Sequence, residues 1–167
     1  MPKILRIFLF VALIFPALCF AEDLELSFAV PKGSLFVKPL DKTFTIKEQP
    51  MPFSVILTNR SKSSQRIYWE TDSGYTKSLS FEMIDEFGNI SMIKRKEFPA
   101  MSVALVNTYL GSDASVTKTM IMDPDEWDNL SLIEPGKVKK FRARAVYNND
   151  GHTIYSDYYT LILDGNK

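Results

Sequence analysis

From residue 24 onward, apolar side chains recur at every second position in short blocks, and no stretch carries the three-to-four spacing of a long amphipathic helix. In residues 53–58, Phe53, Val55 and Leu57 share one face. Leu79, Phe81 and Met83 alternate with Ser80 and Glu82, and Phe141, Ala143, Ala145 and Tyr147 alternate with Arg142, Arg144 and Val146. A period of two places successive side chains on opposite faces, so each block predicts a strand with one buried side. Further strands are expected over residues 24–30, 43–46, 66–69, 90–94, 116–122 and 155–163. Residues 101–110 are apolar but alternate poorly, which suits either a buried strand or a long connection between sheets.

Turn chemistry separates the blocks. Residues 59–64 form a polar loop, residues 85–89 contain Gly88 and Asn89 and read as a hairpin, and Glu134-Pro135-Gly136-Lys137 is a Pro-Gly turn. Asn148-Asn149-Asp150-Gly151 is the strongest signal, because Asp-Gly supplies the positive φ of a tight hairpin. One helical signal stands among them: Asp123 can cap, Pro124 suits the first helical position and Glu126 completes a capping box. Residues 123–129 are therefore expected to form one short helical turn with Trp127 tucked inward. Short strands between turns, without intervening helices, predict an all-β antiparallel sandwich rather than a parallel α/β sheet.

Three segments together resemble secreted bacterial immunoglobulin-like sandwich domains. They are Pro52-Phe53-Ser54-Val55-Ile56-Leu57-Thr58-Asn59-Arg60-Ser61, then Leu79-Ser80-Phe81-Glu82-Met83-Ile84-Asp85 leading to Gly88-Asn89, then Leu132-Ile133-Glu134-Pro135-Gly136 leading to Arg142-Ala143-Arg144-Ala145-Val146-Tyr147. The resemblance spans most of residues 40–163 and implies an immunoglobulin-like fold without the paired cysteines of antibody-type domains. Such domains serve as adhesion, assembly or inhibitor modules, so what the resemblance implies about activity is a binding module.

The first residues change the compartment. Lys3 and Arg6 precede an apolar run over residues 7–15, Pro16 breaks it, and Cys19-Phe20-Ala21 offers a cleavage site. Residues 1–21 read as a secretory signal peptide, and residues 22–167 as one exported immunoglobulin-like domain, periplasmic or secreted. The rival reading is a lipid anchor on Cys19, against which stands the bulky Leu18 where a small residue is wanted. The apolar run is shorter than the ~20 residues of a spanning helix, and no transmembrane segment is expected after the leader is removed.

Composition removes several function classes. The leader holds two of the 20 basic residues and none of the 20 acidic ones, which leaves the exported chain slightly acidic and argues against a nucleic-acid partner. Hydrophobic residues at 46% fit a packed globule and not a disordered chain. The only cysteine, Cys19, lies in the leader, so no intramolecular disulfide is expected.

Candidate chemistry is sparse. His152 is the only histidine and follows a hairpin turn with no nucleophile motif beside it, so no catalytic residue is assigned and the chain is read as not an enzyme. Asp123, Asp125, Glu126 and Asp128 could offer oxygens to calcium, but the spacing lacks the glycine and terminal glutamate of a calcium loop, and helix capping explains them. Met83, Met92, Met101, Met120 and Met122 could suit copper, yet they read better as core filling. No metal or other cofactor is expected. Asn59-Arg60-Ser61, Asn89-Ile90-Ser91 and Asn129-Leu130-Ser131 match the glycosylation pattern and are read as turn residues.

What remains is recognition. Lys94-Arg95-Lys96 and Lys137, Lys139, Lys140, Arg142 and Arg144 would form a positive face if their strands are neighbours, although strand edges also carry such charges as protection. The long segment over residues 99–113 offers Tyr109 as an aromatic anchor near Trp127. The candidate binding residues are thus Tyr109, Trp127, Lys94, Arg95, Arg142 and Arg144. The expected function is an exported, non-enzymatic binding module that meets a protein partner in the envelope or extracellular space through loops or a sheet edge. The alternative is an immunoglobulin-like protease inhibitor that inserts loops into a cleft.

Overall fold

Alternating strands closed by local turns must bury one face each, and here they do so in two large sheets and one small one. The computed structural model describes residues 23–32, 35–68, 78–96, 107–149 and 151–166. The expected leader with Cys19, and residues 97–106 of the unpatterned segment, lie outside the described residues. The strands are β1 (Leu24–Lys32), β2 (Leu35–Val37), β3 (Thr43–Ile46), β4 (Met51–Asn59), β5 (Gln65–Tyr68), β6 (Leu79–Ile84), β7 (Ile90–Arg95), β8 (Asn107–Leu110), β9 (Ser115–Met122), β10 (Trp127–Asp128), β11 (Val138–Asn149), β12 (His152–Tyr155) and β13 (Tyr159–Asp164). The described residues are all-β, with no helix among them.

One sheet has the order β2-β1-β4-β9. The larger has the order β10-β7-β6-β11-β13-β3, with β12 paired to β11, and β5 and β8 form a two-stranded sheet. Phe28 of the first sheet meets four rings: Phe53 beside it, and Phe44, Phe81 and Tyr159 from the second sheet, with centroids 5.1–6.2 Å apart. Phe53 and Phe81 add an edge-to-face contact at 5.1 Å. One hydrophobic cluster therefore joins the inner faces of both sheets, and aromatic burial and ring geometry hold them together.

Three expectations need correction. The sheets are not wholly antiparallel, because β13 pairs with β3 in parallel, from Thr160↔Thr43 to Leu163↔Ile46. Residues 155–163 are not one strand. Between the pairs Val146↔Tyr155 and Ala143↔Tyr159, three residues stand opposite two of β11, which is a β-bulge. Ser156 repairs it: its amide bonds to the Ala145 carbonyl at 3.0 Å, and its hydroxyl accepts from the Ala145 amide at 2.9 Å.

The helical turn over residues 123–129 closes one turn only. The Glu126 and Trp127 amides donate to the Asp123 carbonyl, and Asp123 Oδ1 caps the Asp125 amide at 2.8 Å. Trp127 and Asp128 then leave as a strand paired with Arg95 and Lys94. A single turn gains little by propagating, whereas strand pairing and indole burial reward leaving it. The inward indole was correctly expected: Trp127 is 3% exposed, packs 5.5 Å from Phe81 and donates Nε1–H to the Ile121 carbonyl.

Candidate functional site: an arginine–tyrosine ladder on the outer sheet face

The alternation of β11 sends Ala143, Ala145 and Tyr147 into the core and therefore Arg142 and Arg144 to the outside of the larger sheet. Register then builds two rows across that face. Met92, Glu82 and Arg144 lie side by side on β7, β6 and β11, while Ile90, Ile84, Arg142 and Thr160 form the next row. Ile90 is exposed, so apolar and cationic groups share this surface.

The bulge supplies the aromatic part. By adding one residue opposite β11, it lays Tyr158 over the arginines, and pairing with Val146 places Tyr155 beside them. The Arg144 guanidinium lies 4.0 Å from the Tyr155 ring centroid and 4.8 Å from that of Tyr158, and Arg142 lies 4.4 Å from Tyr158. The result is a ladder of Tyr155, Arg144, Tyr158 and Arg142, stabilised by cation–π attraction.

Glu82 anchors it. Arg144 Nη2 donates to Glu82 Oε2 at 3.0 Å, while Arg144 Nε lies 3.0 Å from Oε1 off the line of its N–H, and Tyr158 donates its hydroxyl to Oε1 at 2.5 Å. Burial works against ionising this carboxyl, but the Tyr158 and Arg144 hydrogen bonds outweigh it and hold Glu82 below its ordinary 4.5. The same bond to Glu82 raises the Tyr158 hydroxyl, which stays a neutral donor. Arg144 is thus consumed in holding the ladder. Arg142 is exposed and has no carboxylate partner among the described residues. The arrangement presents a fixed planar cation and ring faces.

The other residues singled out from the sequence are placed differently. Lys94 is exposed on the same sheet two strands away from β11, since β6 lies between β7 and β11, so the two basic stretches share a sheet without being neighbours. Arg95 is half-buried and pairs with Glu126 at 2.7 Å, tying β7 to the turn at residue 123. Lys137 and Lys139 both bind Glu134 and pull its carboxyl down to about 2. Tyr109 is 69% exposed on β8, opposite Arg66 of β5. Trp127 is corrected: its ring belongs to the core and gives no surface anchor, because the Asp123 turn folds it inward. No group of three or more His, Cys, Asp or Glu side chains arranged to hold a metal occurs among the described residues.

Sequence reasoning did not find Tyr158, Tyr155 or Glu82. The one available signal was Tyr155 and Tyr158 at a spacing of three in an otherwise alternating segment, which breaks the period of a regular strand.

The chain matches no protein-family model and no curated protein. Among solved structures it aligns with an alkylpurine DNA glycosylase, AlkC, of Pseudomonas fluorescens bound to DNA containing an abasic site analog, at 9% identity and a TM-score of 0.35. The alignment covers 83% of this chain and 30% of that one. A likeness this slight carries no argument about fold or function.

Proposed function

We propose that the chain is an exported immunoglobulin-like β-sandwich that works as a non-enzymatic binding module, with the Arg142–Tyr158 face taking an acidic surface of a protein partner. Support for the fold reading comes from the two facing sheets with one aromatic core and from the resemblance of the three quoted segments. The export reading rests on the leader pattern of residues 1–21.

The observation that carries the binding reading is Arg142. Its guanidinium is exposed and stacked on Tyr158 with no carboxylate beside it among the described residues. Stacking fixes the orientation of the fork before a partner arrives, which lowers the ordering cost of binding. Arginine and tyrosine are the residues that dominate such contacts.

Crosslinking capture from envelope or culture extract, with the exported chain and its Arg142→Glu variant, tests this. Arg142 is exposed, so the far-ultraviolet circular dichroism of the variant should match the parent's. Capture of a defined acidic partner that weakens by about ten-fold or more in the variant, roughly 1.4 kcal/mol, is the expected result. Equal capture by both proteins would remove this face from the function.

A further inference from the structure

Strand β1 leaves half of one edge unused. The Arg60 amide donates to the Asp23 carbonyl at 2.6 Å, so Glu25, Ser27 and Ala29 exchange the next ladder bonds with Thr58, Ile56 and Ser54 of β4. In an antiparallel ladder the alternate residues Leu24, Leu26 and Phe28 then direct their N–H and C=O groups away from β4. The Asn59 amide bonds to the Ala114 carbonyl on the far side of β4, which fixes the same parity independently. β2 takes up the outward edge only at Val30, Pro31 and Lys32. At Phe28 the Tyr159 hydroxyl approaches the strand: burial pushes its pKa up, and the Phe28 backbone works against that rise. Nothing among the described residues pairs with the outward backbone groups of Leu24 and Leu26.

Beside this edge runs a groove of about 530 Å³. Its walls are the β1 edge, the Tyr155–Tyr159 corner and the connection carrying Lys38, Leu40 and Lys42. Ser27 also lines it; this serine is 5% exposed, and its buried hydroxyl has no hydrogen-bond partner. A buried hydroxyl without a partner costs free energy that a ligand would recover. Arg60 and Lys38 both sit on Glu25, at 2.7 and 3.2 Å, and Lys42 on Asp157 at 2.6 Å. Three cations thus share two carboxylates at this groove, and the Leu40 side chain stands fully in solvent among them.

We propose that this groove is a strand-addition site for an extended segment of another protein that carries an acidic side chain. The segment's backbone pairs with Leu24 and Leu26, its acid meets Lys38 and Arg60, and an apolar side chain covers Leu40. Three cations against two carboxylates favour an acidic segment as the occupant. From Leu24 to Phe28 the edge spans about 13 Å at ~3.3 Å per residue, room for a short strand. This site lies along the β1 edge of the four-stranded sheet and meets the arginine–tyrosine ladder only at Tyr155, so Arg142 takes no part in it.

A phage-displayed random peptide library panned on the exported chain tests it. Enriched peptides should alternate apolar residues and carry Asp or Glu, and on binding the Leu24 and Leu26 amides should exchange more slowly. Synthetic versions N-methylated at the residues facing β1 should lose binding while those methylated at the intervening residues keep it. The double variant Lys38→Glu, Arg60→Glu should weaken binding by about ten-fold or more. No enrichment, indifference to the methylated positions, or unchanged Leu24 and Leu26 exchange would overturn the proposal. So would a dimer in sedimentation that buries these two amides, since a second copy would then be the occupant. The peptide methylation series needs no change to the protein, so it decides the matter even if the charge variant unfolds.

Discussion

Asn59 shows how much a single polar side chain can decide. It is fully buried; its Nδ2 group spreads over the carbonyls of Ser63, Leu110 and Gly111 at 2.8–3.0 Å, and its Oδ1 accepts from the Ser61 amide and hydroxyl. In sequence it belonged to a glycosylation triplet and a turn, and the folded chain hides it from any such modification. Asn59→Ala would take the acceptor from the buried Ser61 amide and the amide donor from the Leu110 carbonyl, and should cost roughly 2–3 kcal/mol in denaturant unfolding. Glu82 gives a second prediction at this scale. Its folded pKa is depressed, so its contribution is present above the ordinary 4.5 and is lost as pH falls through the folded value below it. Glu82→Gln should therefore be less stable than the parent at neutral pH, with the gap in denaturation midpoints closing in acid; a gap independent of pH would refute the linkage. The sequence displayed Arg142 and Arg144 as outward positions by alternation alone, but not that Arg144 is spent on Glu82 while Arg142 is left for a partner. That division depends on which residues the register of β6 and the bulge bring opposite them.

Elements were legible wherever period and turn agreed. β3 falls where the pattern placed it, and β1, β4, β6, β7, β9 and β11 differ by a few residues at their ends. Gly88, Gly136 and Gly151 all adopt positive φ in the turns that their sequences announced. β2 and β10 escaped because two or three residues cannot display a period, and β8 because residues 101–110 carry apolar side chains on both faces of any strand drawn through them. Gly165 was also silent in sequence. It bonds through its amide to the Lys137 carbonyl and through its carbonyl to the Gly136 amide, and a Cβ there would collide with the Glu134 carbonyl. Gly165→Ala should thus lower stability by about 1–3 kcal/mol, read as a drop in thermal midpoint, with the Pro-Gly turn the part displaced. An unchanged midpoint would mean that the end of β13 swings aside without loss.

At the scale of the whole molecule, the aromatic layer between the sheets is the common support. Phe81 touches Phe28, Phe53 and Trp127, so it joins both sheets and the β10 turn. Phe81→Ala should cost about 3–5 kcal/mol and abolish cooperative unfolding before it touches either proposed surface chemistry, a distinction that near-ultraviolet circular dichroism would read. The sequence by itself determined the all-β class, the inner and outer faces of most strands and the turns between them, because each of these depends on residues within a few positions of one another. Only the tertiary structure decided that β3 runs parallel to β13, that Trp127 leaves its turn as a strand beside Arg95, that a bulge lays Tyr158 over two arginines, and that the outward backbone groups of Leu24 and Leu26 go unpaired among the described residues. Each of those depends on which distant strand lies alongside, and pairing across tens of residues is settled by how the faces bury together, which alternation along one strand does not encode.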